Sequence, residues 1–366
     1  MRARLLAERR VSVKQYAQTS AGDGQQAAHT AAPSPYIAPN HARILHQMQQ
    51  RVESLGRDTP DLAGRLKEMS NHVLLSTLPT GELNAQTVAV RGMPDRLILF
   101  DPVFFDIIDC FSDFFSRAID GPAMRKAAFV YGQSGIDTDL TMVMRGEDRM
   151  VVGNCLVTLR ALLFQGVPPP RIVPRREERE NFASFLRDTA GLFVTAHEYG
   201  HVLLRHSDPG GPAANLPRTD KEFAADRIAC GIVMAYGDSV RSTRTEMFLG
   251  TRFFLISVLL IEAIRLSMAR GHPCRIADVT AYREPQPEDT HPSTSLRLAY
   301  VNNWLEERYS LPLFRGTQFF AAVLLELADR LLACVQPALL AQAASGQPLV
   351  SGWFEMRPKI EPSTVA

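Results

Sequence analysis

Apolar residues in this chain recur with two periods, and the places where the period changes mark the elements. Between 41 and 69, Ile44, Met48, Val52 and Leu55 fall near one face of a 3.6-residue repeat, which predicts a helix. The pattern then becomes extended. "TVAV" and "RLILF" are β-rich pieces parted by Gly92, Met93, Pro94 and Asp95, a turn-forming cluster. "PVFFDIIDCFSDFFSRAI" returns to an amphipathic helical repeat. A short β-like section is expected around "TDLTMVMRG", then a helix over "VVGNCLVTLRALLFQG". From Glu177 to about Ala344 the pattern is helical almost throughout. The expected fold class is α+β: a predominantly helical body with one small antiparallel sheet.

The ends of the chain read differently. Residues 17–40 are rich in Ala, Gln, Ser, Gly and Pro with almost nothing to bury, so 1–40 is expected to be a flexible leader. "GVPPPRIVPRREERE" reads as an exposed loop rather than a domain boundary, because neither half alone holds a complete set of catalytic elements. A single domain over 41–350 and a tail over 351–366 follow. The runs "FFLISVLLIEAIRL" and "FFAAVLLELADRLLACV" are interrupted by Glu262 and Arg265, and by Glu326, Asp329 and Arg330. Neither offers about 18 uncharged residues, which favours buried helices over transmembrane segments. The first residues, "MRARLLAERRVSVKQ", lack the apolar region of a signal peptide.

Composition narrows the class further. With 46% apolar and 22% charged residues over 366 positions, the chain has the balance of a soluble globular protein with a sizeable core. A formal net charge of +1 supplies no field to attract nucleic acid or an anionic membrane. The five cysteines are dispersed, odd in number and lack a Cys-x-x-Cys pair, which suits small core thiols in the reducing cytoplasm.

Against this background one stretch carries chemistry: "FVTAHEYGHVLLRHSD". On a helix, His197 and His201 lie one turn apart on one face and can direct two imidazole nitrogens at one Zn²⁺. Glu198, one position on, stands beside such an ion, where it can take a proton from water and pass it to a leaving amine. A core helix with two hydrogen-bonded histidines satisfies the same short pattern. A catalytic zinc also needs a third protein ligand and an open position. "DKEFAADRIACGIVMA" offers Glu222 as that ligand and, one turn later, Asp226 to accept from the far ring nitrogen of His197. In "EDTHPSTSLRLAYV", Pro292 is expected in the first turn of a helix. There His291 could donate to an oxyanion, and Arg297 could brace the carboxylates around the metal.

Together "HEYGH", "EFAAD" and "THPSTSLR", in that order, resemble the gluzincin metallopeptidases, in particular the superfamily of the HtpX heat-shock proteases and CAAX prenyl proteases. The resemblance spans roughly residues 80–305 and implies a zincin-like fold with one Zn²⁺ per chain. It implies zinc binding by His197, His201 and Glu222, the base role for Glu198, support from Asp226, and transition-state stabilisation by His291. "ELNAQTVAVRGMPDRLILFDPVFFDII" is similar to that family's Asn-Ala segment, edge strand and following helix. "TVAV" or "RLILF" is then the edge to which a peptide substrate adds as a strand. Unlike the membrane members, this chain lacks clear spans around its motifs.

Other residues invite a role and are expected to lack one. His206 lies five positions after His201, about 140° round the helix, and should miss the metal as a helix-end residue. His72 and His272 read as structural or exposed, and Tyr199 as partly buried. Gly200 is small where a neighbouring element can pack closely. The expected function is a soluble zinc-dependent endopeptidase acting on a peptide or protein substrate. The rival is a zincin-like regulatory or interaction module with absent or restricted proteolysis.

Overall fold

The computed structural model of the protein describes residues 46–52, 73–77, 85–89, 96–135, 139–146, 148–165, 177–206, 213, 215–239, 244–281 and 292–349. Its strands are β1 (Val73–Thr77), β2 (Ala85–Ala89) and β3 (Arg96–Phe100). Its helices are α1 (Pro102–Ala118), α2 (Gly121–Ser134), α3 (Arg149–Gln165), α4 (Glu177–Leu203), α5 (Arg218–Ser239), α6 (Arg244–Arg270), α7 (Ile276–Ala281), α8 (Thr294–Arg308) and α9 (Leu311–Ala344). Residues 46–52 form a further helical segment. The fold is predominantly helical with little sheet. The leader over 1–40, the tail over 351–366, the loop over 166–176, the side chains of "RREERE", His72 and His291 lie outside the described residues, as do 41–45 and 53–69 of the first expected helix.

The sheet departs from the expected antiparallel arrangement. β3 is central, in the order β1-β3-β2; β2 pairs with it antiparallel, but β1 pairs with it parallel. The turn cluster before β3 announces the local hairpin, whereas the β1 pairing joins strands separated by β2 and leaves no local signal. "TDLTMVMRG" is not a strand either. Asp139 accepts from the Thr141 amide at 2.9 Å and starts a 3₁₀ turn over Leu140–Met142, leaving one bridge between Ile119 and Met144.

α4 runs through the interior, with α5, α1 and α6 packed along it and β2 against it. Every residue from Gly191 to Gly200 is buried, so this helix is enclosed on all sides rather than amphipathic. An aromatic cluster ties the surrounding elements together. Phe104 of α1 and Phe193 of α4 both meet Phe254 of α6, with ring centroids 5.9 and 5.8 Å apart, and Phe100 of β3 meets Phe104 at 6.1 Å. α6 covers the other side and packs on α9. The stretch Thr245–Arg270 is long and apolar enough to cross a membrane by length and composition, and 89% of its apolar window is buried within the protein.

α8 is fixed at both ends. Ser293 caps it by accepting from the Leu296 amide at 3.3 Å, which places Pro292 just before the cap rather than in the first turn. Deeper in, the fully buried Arg252 of α6 donates to the Asn302 side-chain oxygen at 2.7 and 3.1 Å and to the Thr317 carbonyl, joining α6, α8 and α9. Four of the five cysteines are buried thiols; Cys334, against expectation, is exposed.

Candidate metal centre

α4 and α5 approach closely where the motif residues face one another. A Cβ at Gly200 would lie 3.0 Å from the Ala225 Cα and 3.1 Å from its carbonyl oxygen, so the absent side chain sets the spacing of the two helices. That approach brings "HEYGH" against "EFAAD". His197, Glu198, Glu222 and Asp226 are all buried, with exposures of 6%, 5%, 4% and 0%. Polar groups this deep need partners.

His197 and His201 present their Nε2 atoms to each other at 3.0 Å. Glu222 faces both: Oε2 lies 3.2 Å from His197 Nε2, and Oε1 lies 3.6 Å from His201 Nε2. A tetrahedral ion with ligand distances of about 2.0–2.1 Å spaces its ligands about 3.3 Å apart, so these three side chains fit a zinc-sized ion. Glu198 is close as well, since His197, Glu198 and His201 offer ligand atoms within 4.8 Å of one another. Glu222 turns its two oxygens to both nitrogens, whereas Glu198 is engaged elsewhere. Thr87 of β2 donates its hydroxyl to Glu198 Oε2 at 2.7 Å and lies 3.1 Å from the Glu198 carbonyl.

The far sides of the rings have partners of their own. His197 Nδ1 is 2.8 Å from Asp226 Oδ1, and a carboxylate only accepts, so Nδ1 donates and Nε2 is the nitrogen turned to His201 and Glu222. Arg297 grips the same carboxylate through both oxygens, at 2.6 and 2.9 Å. Its Nη2 also lies 3.4 Å from His197 Nδ1, but two donors make only a contact. Arg297 therefore braces Asp226 rather than the ligand carboxylate.

His201 Nδ1 has a partner that sequence spacing missed: His206 Nδ1, at 2.8 Å. The expected 140° offset assumes a helix that continues. Instead α4 ends at Leu203, Arg205 takes a left-handed φ of 55°, and the chain turns back. The Arg205 amide bonds to the Val202 carbonyl and the His206 amide to the His201 carbonyl, both at 3.0 Å. Those two bonds form a Schellman motif, which sets the second residue beyond the helix against the residue three from its end.

Charge follows the geometry. Burial raises the Asp226 carboxyl, but Arg297 and His197 outweigh it and hold the group below the usual carboxylate range. Burial opposes charge on His197, yet Asp226 and a hydrogen bond to Glu222 prevail over it and over Arg297, lifting the ring to about 9. Burial, His201 and Lys221 push His206 down to about 4, so it is a neutral acceptor at neutral pH. Arg297 is held above its ordinary value because Asp226, Glu222 and Glu198 offset its burial. By formal charge, the three carboxylates, the guanidinium and the charged His197 ring carry one net negative charge, and exchange of the ring's Nε2 proton for a divalent cation would leave the group two negative charges to set against it.

Of the other residues considered in the sequence, Tyr199 is fully buried, and His272 is exposed with Nδ1 against the Pro273 carbonyl at 3.1 Å. Thr87 was legible only as a strand residue; a polar side chain inside "TVAV" was its single signal. Among the described residues β2 lies at an edge of the sheet, whereas "RLILF" is the central strand and offers no free edge. No family model, curated protein or solved structure matches this chain.

Proposed function

We propose that the protein is a zinc-dependent endopeptidase of gluzincin type, with a zincin-like arrangement of its helices around His197, His201 and Glu222. One observation carries this reading. Two imidazole Nε2 atoms and a carboxylate converge at 3.0–3.6 Å in a buried site. Without an ion, a proton on His197 Nε2 holds the group together by donating to His201 Nε2 and Glu222; a divalent cation takes that proton's place and bonds all three side chains at once. When bound, zinc supplies a Lewis acid that acidifies water and polarises a carbonyl.

The chain's own groups account for the rest. Asp226 fixes the His197 tautomer, and Arg297 keeps Asp226 charged, so the carboxylate strengthens the imidazole as a ligand. Glu198 stands beside the ligands, with Oε2 held by Thr87 and its other oxygen available to accept a proton from water. The same carboxylic acid then returns the proton to the departing amine. β2 supports an extended peptide as substrate, because it lies at the sheet edge and carries the residue bonded to Glu198.

The deciding experiment is cleavage of a denatured-protein mixture by the zinc-loaded protein beside Glu198→Gln, with metal quantified in both. Cleavage that disappears in the variant while about one zinc per chain remains is the expected result. Zinc in both and cleavage by neither would move the reading to a zincin-like binding module. Absence of zinc from both would sink the metal site.

A further inference from the structure

The two histidines are held from behind in different ways. His197 donates to a charged carboxylate braced by an arginine, whereas His201 meets only another imidazole. The rings of His201 and His206 stand edge-on, with centroids 5.0 Å apart and planes at 68°. His206 approaches the Nδ1 side, opposite the Nε2 that faces His197 and Glu222, so it cannot join His201 Nε2 on the same ion in this arrangement. For His201 Nε2 to bind a cation, the ring proton must be on Nδ1, and His206 Nδ1 is the atom placed to receive it. We propose that His206 is a positioning residue of the metal centre, accepting the Nδ1 proton of His201 and thereby presenting the Nε2 lone pair to the ion.

This inference rests on the metal-site reading and assigns a function to the turn that ends α4. The backbone bond from the His206 amide to the His201 carbonyl holds the two residues in register independently of their side chains. The ring of His206 is thus delivered by the cap itself, and its Nδ1 meets the only ring nitrogen of His201 that faces away from the ligands. Its own remaining proton belongs on Nε2, which is buried and has no hydrogen-bond partner among the described residues. A histidine retained there only for packing would have no need to aim Nδ1 at His201.

The test is zinc affinity of the full-length protein, measured by competition with a chromogenic chelator, for wild type, His206→Ala and His206→Asn. Asparagine places its Oδ1 where the histidine Nδ1 stands, so it restores an acceptor without a ring. Circular dichroism of each protein establishes that it is folded. We expect His206→Ala to weaken zinc binding about 10–100-fold, the usual effect of removing such a partner, and His206→Asn to recover most of it. Should the alanine variant fail to fold, the asparagine variant carries the test, with near wild-type affinity expected. Equal affinity in wild type and alanine, or equal loss in alanine and asparagine, would overturn the proposal while leaving the metal site intact. A wild-type protein that binds no zinc would overturn the metal site and this inference with it.

Discussion

His197 touches Asp226 through one ring nitrogen at 2.8 Å and faces the His201 ring through the other at 3.0 Å. The carboxylate behind the ring therefore acts on the nitrogen in front of it. Asp226→Asn keeps an oxygen acceptor but removes the charge that strengthens His197 and balances Arg297. Zinc affinity should fall about 10–100-fold. Because a buried cation loses its partner, unfolding free energy should also fall, by about 3–5 kcal/mol. Chelator competition and urea denaturation read the two effects separately. Unchanged affinity in a folded variant would remove Asp226 from the metal site.

The contact between Gly200 and Ala225 leads to a paired prediction. Gly200→Ala gains helix propensity but drives a methyl to 3.0 Å from the Ala225 backbone. We expect a net loss of about 1–3 kcal/mol from overpacking. Zinc binding should weaken as well, since α5 carries both Glu222 and Asp226. Gly231→Ala on α5 is the contrast, because a Cβ there meets nothing within 4 Å. It should add about 0.5–1 kcal/mol through propensity alone. Thermal unfolding of the two variants with opposite signs checks the prediction; two stabilised proteins would mean that the helices are free to move apart.

What could be read from the sequence follows from how far each contact reaches along the chain. His197, Glu198 and His201 share one helical turn, and Glu222 and Asp226 share another, so a period of 3.6 places each group without knowledge of the fold. Arg297 was legible as a brace for the carboxylates around the site, but which of them it grips, Asp226, depends on how α8 docks. His206 was excluded by the same periodicity that found the others. A left-handed arginine, with no glycine to announce it, ends the helix early and reverses the chain. Thr87 and the parallel pairing of β1 depend on strand placement relative to distant elements. No local pattern encodes such placement.

Thr87 links the sheet edge to Glu198, the base proposed for hydrolysis. Thr87→Val conserves shape but removes the hydroxyl that donates to Glu198 at 2.7 Å. A hydrogen bond to a charged group contributes about 1.5–3 kcal/mol, so peptide hydrolysis should slow by at least about tenfold. Zinc content should not change, because Thr87 touches none of the three ligands proposed. A parallel loss of zinc and activity would instead show that β2 supports the whole site.

Stability against pH should carry the imprint of Asp106 on α1, outside the proposed metal centre. Burial, together with the neighbouring Asp109 and Asp101, raises its carboxyl from 3.8 to about 7. The sign follows from which state holds the proton. Between about pH 4 and 7 the folded protein keeps a proton that the unfolded chain has already released, so this group's contribution to stability falls as pH rises through that window. Below the window both states are protonated and nothing is lost; above it the full penalty applies. Asp106→Asn removes the titration while keeping the size of the side chain. It should therefore stabilise the protein at pH 8, by on the order of 1–3 kcal/mol, and have little effect near pH 4. Urea denaturation of wild type and variant at the two pH values measures this difference. A variant equally stabilised at both would assign the gain to packing, and one destabilised at pH 8 would show that the charged form has a partner worth more than its burial costs.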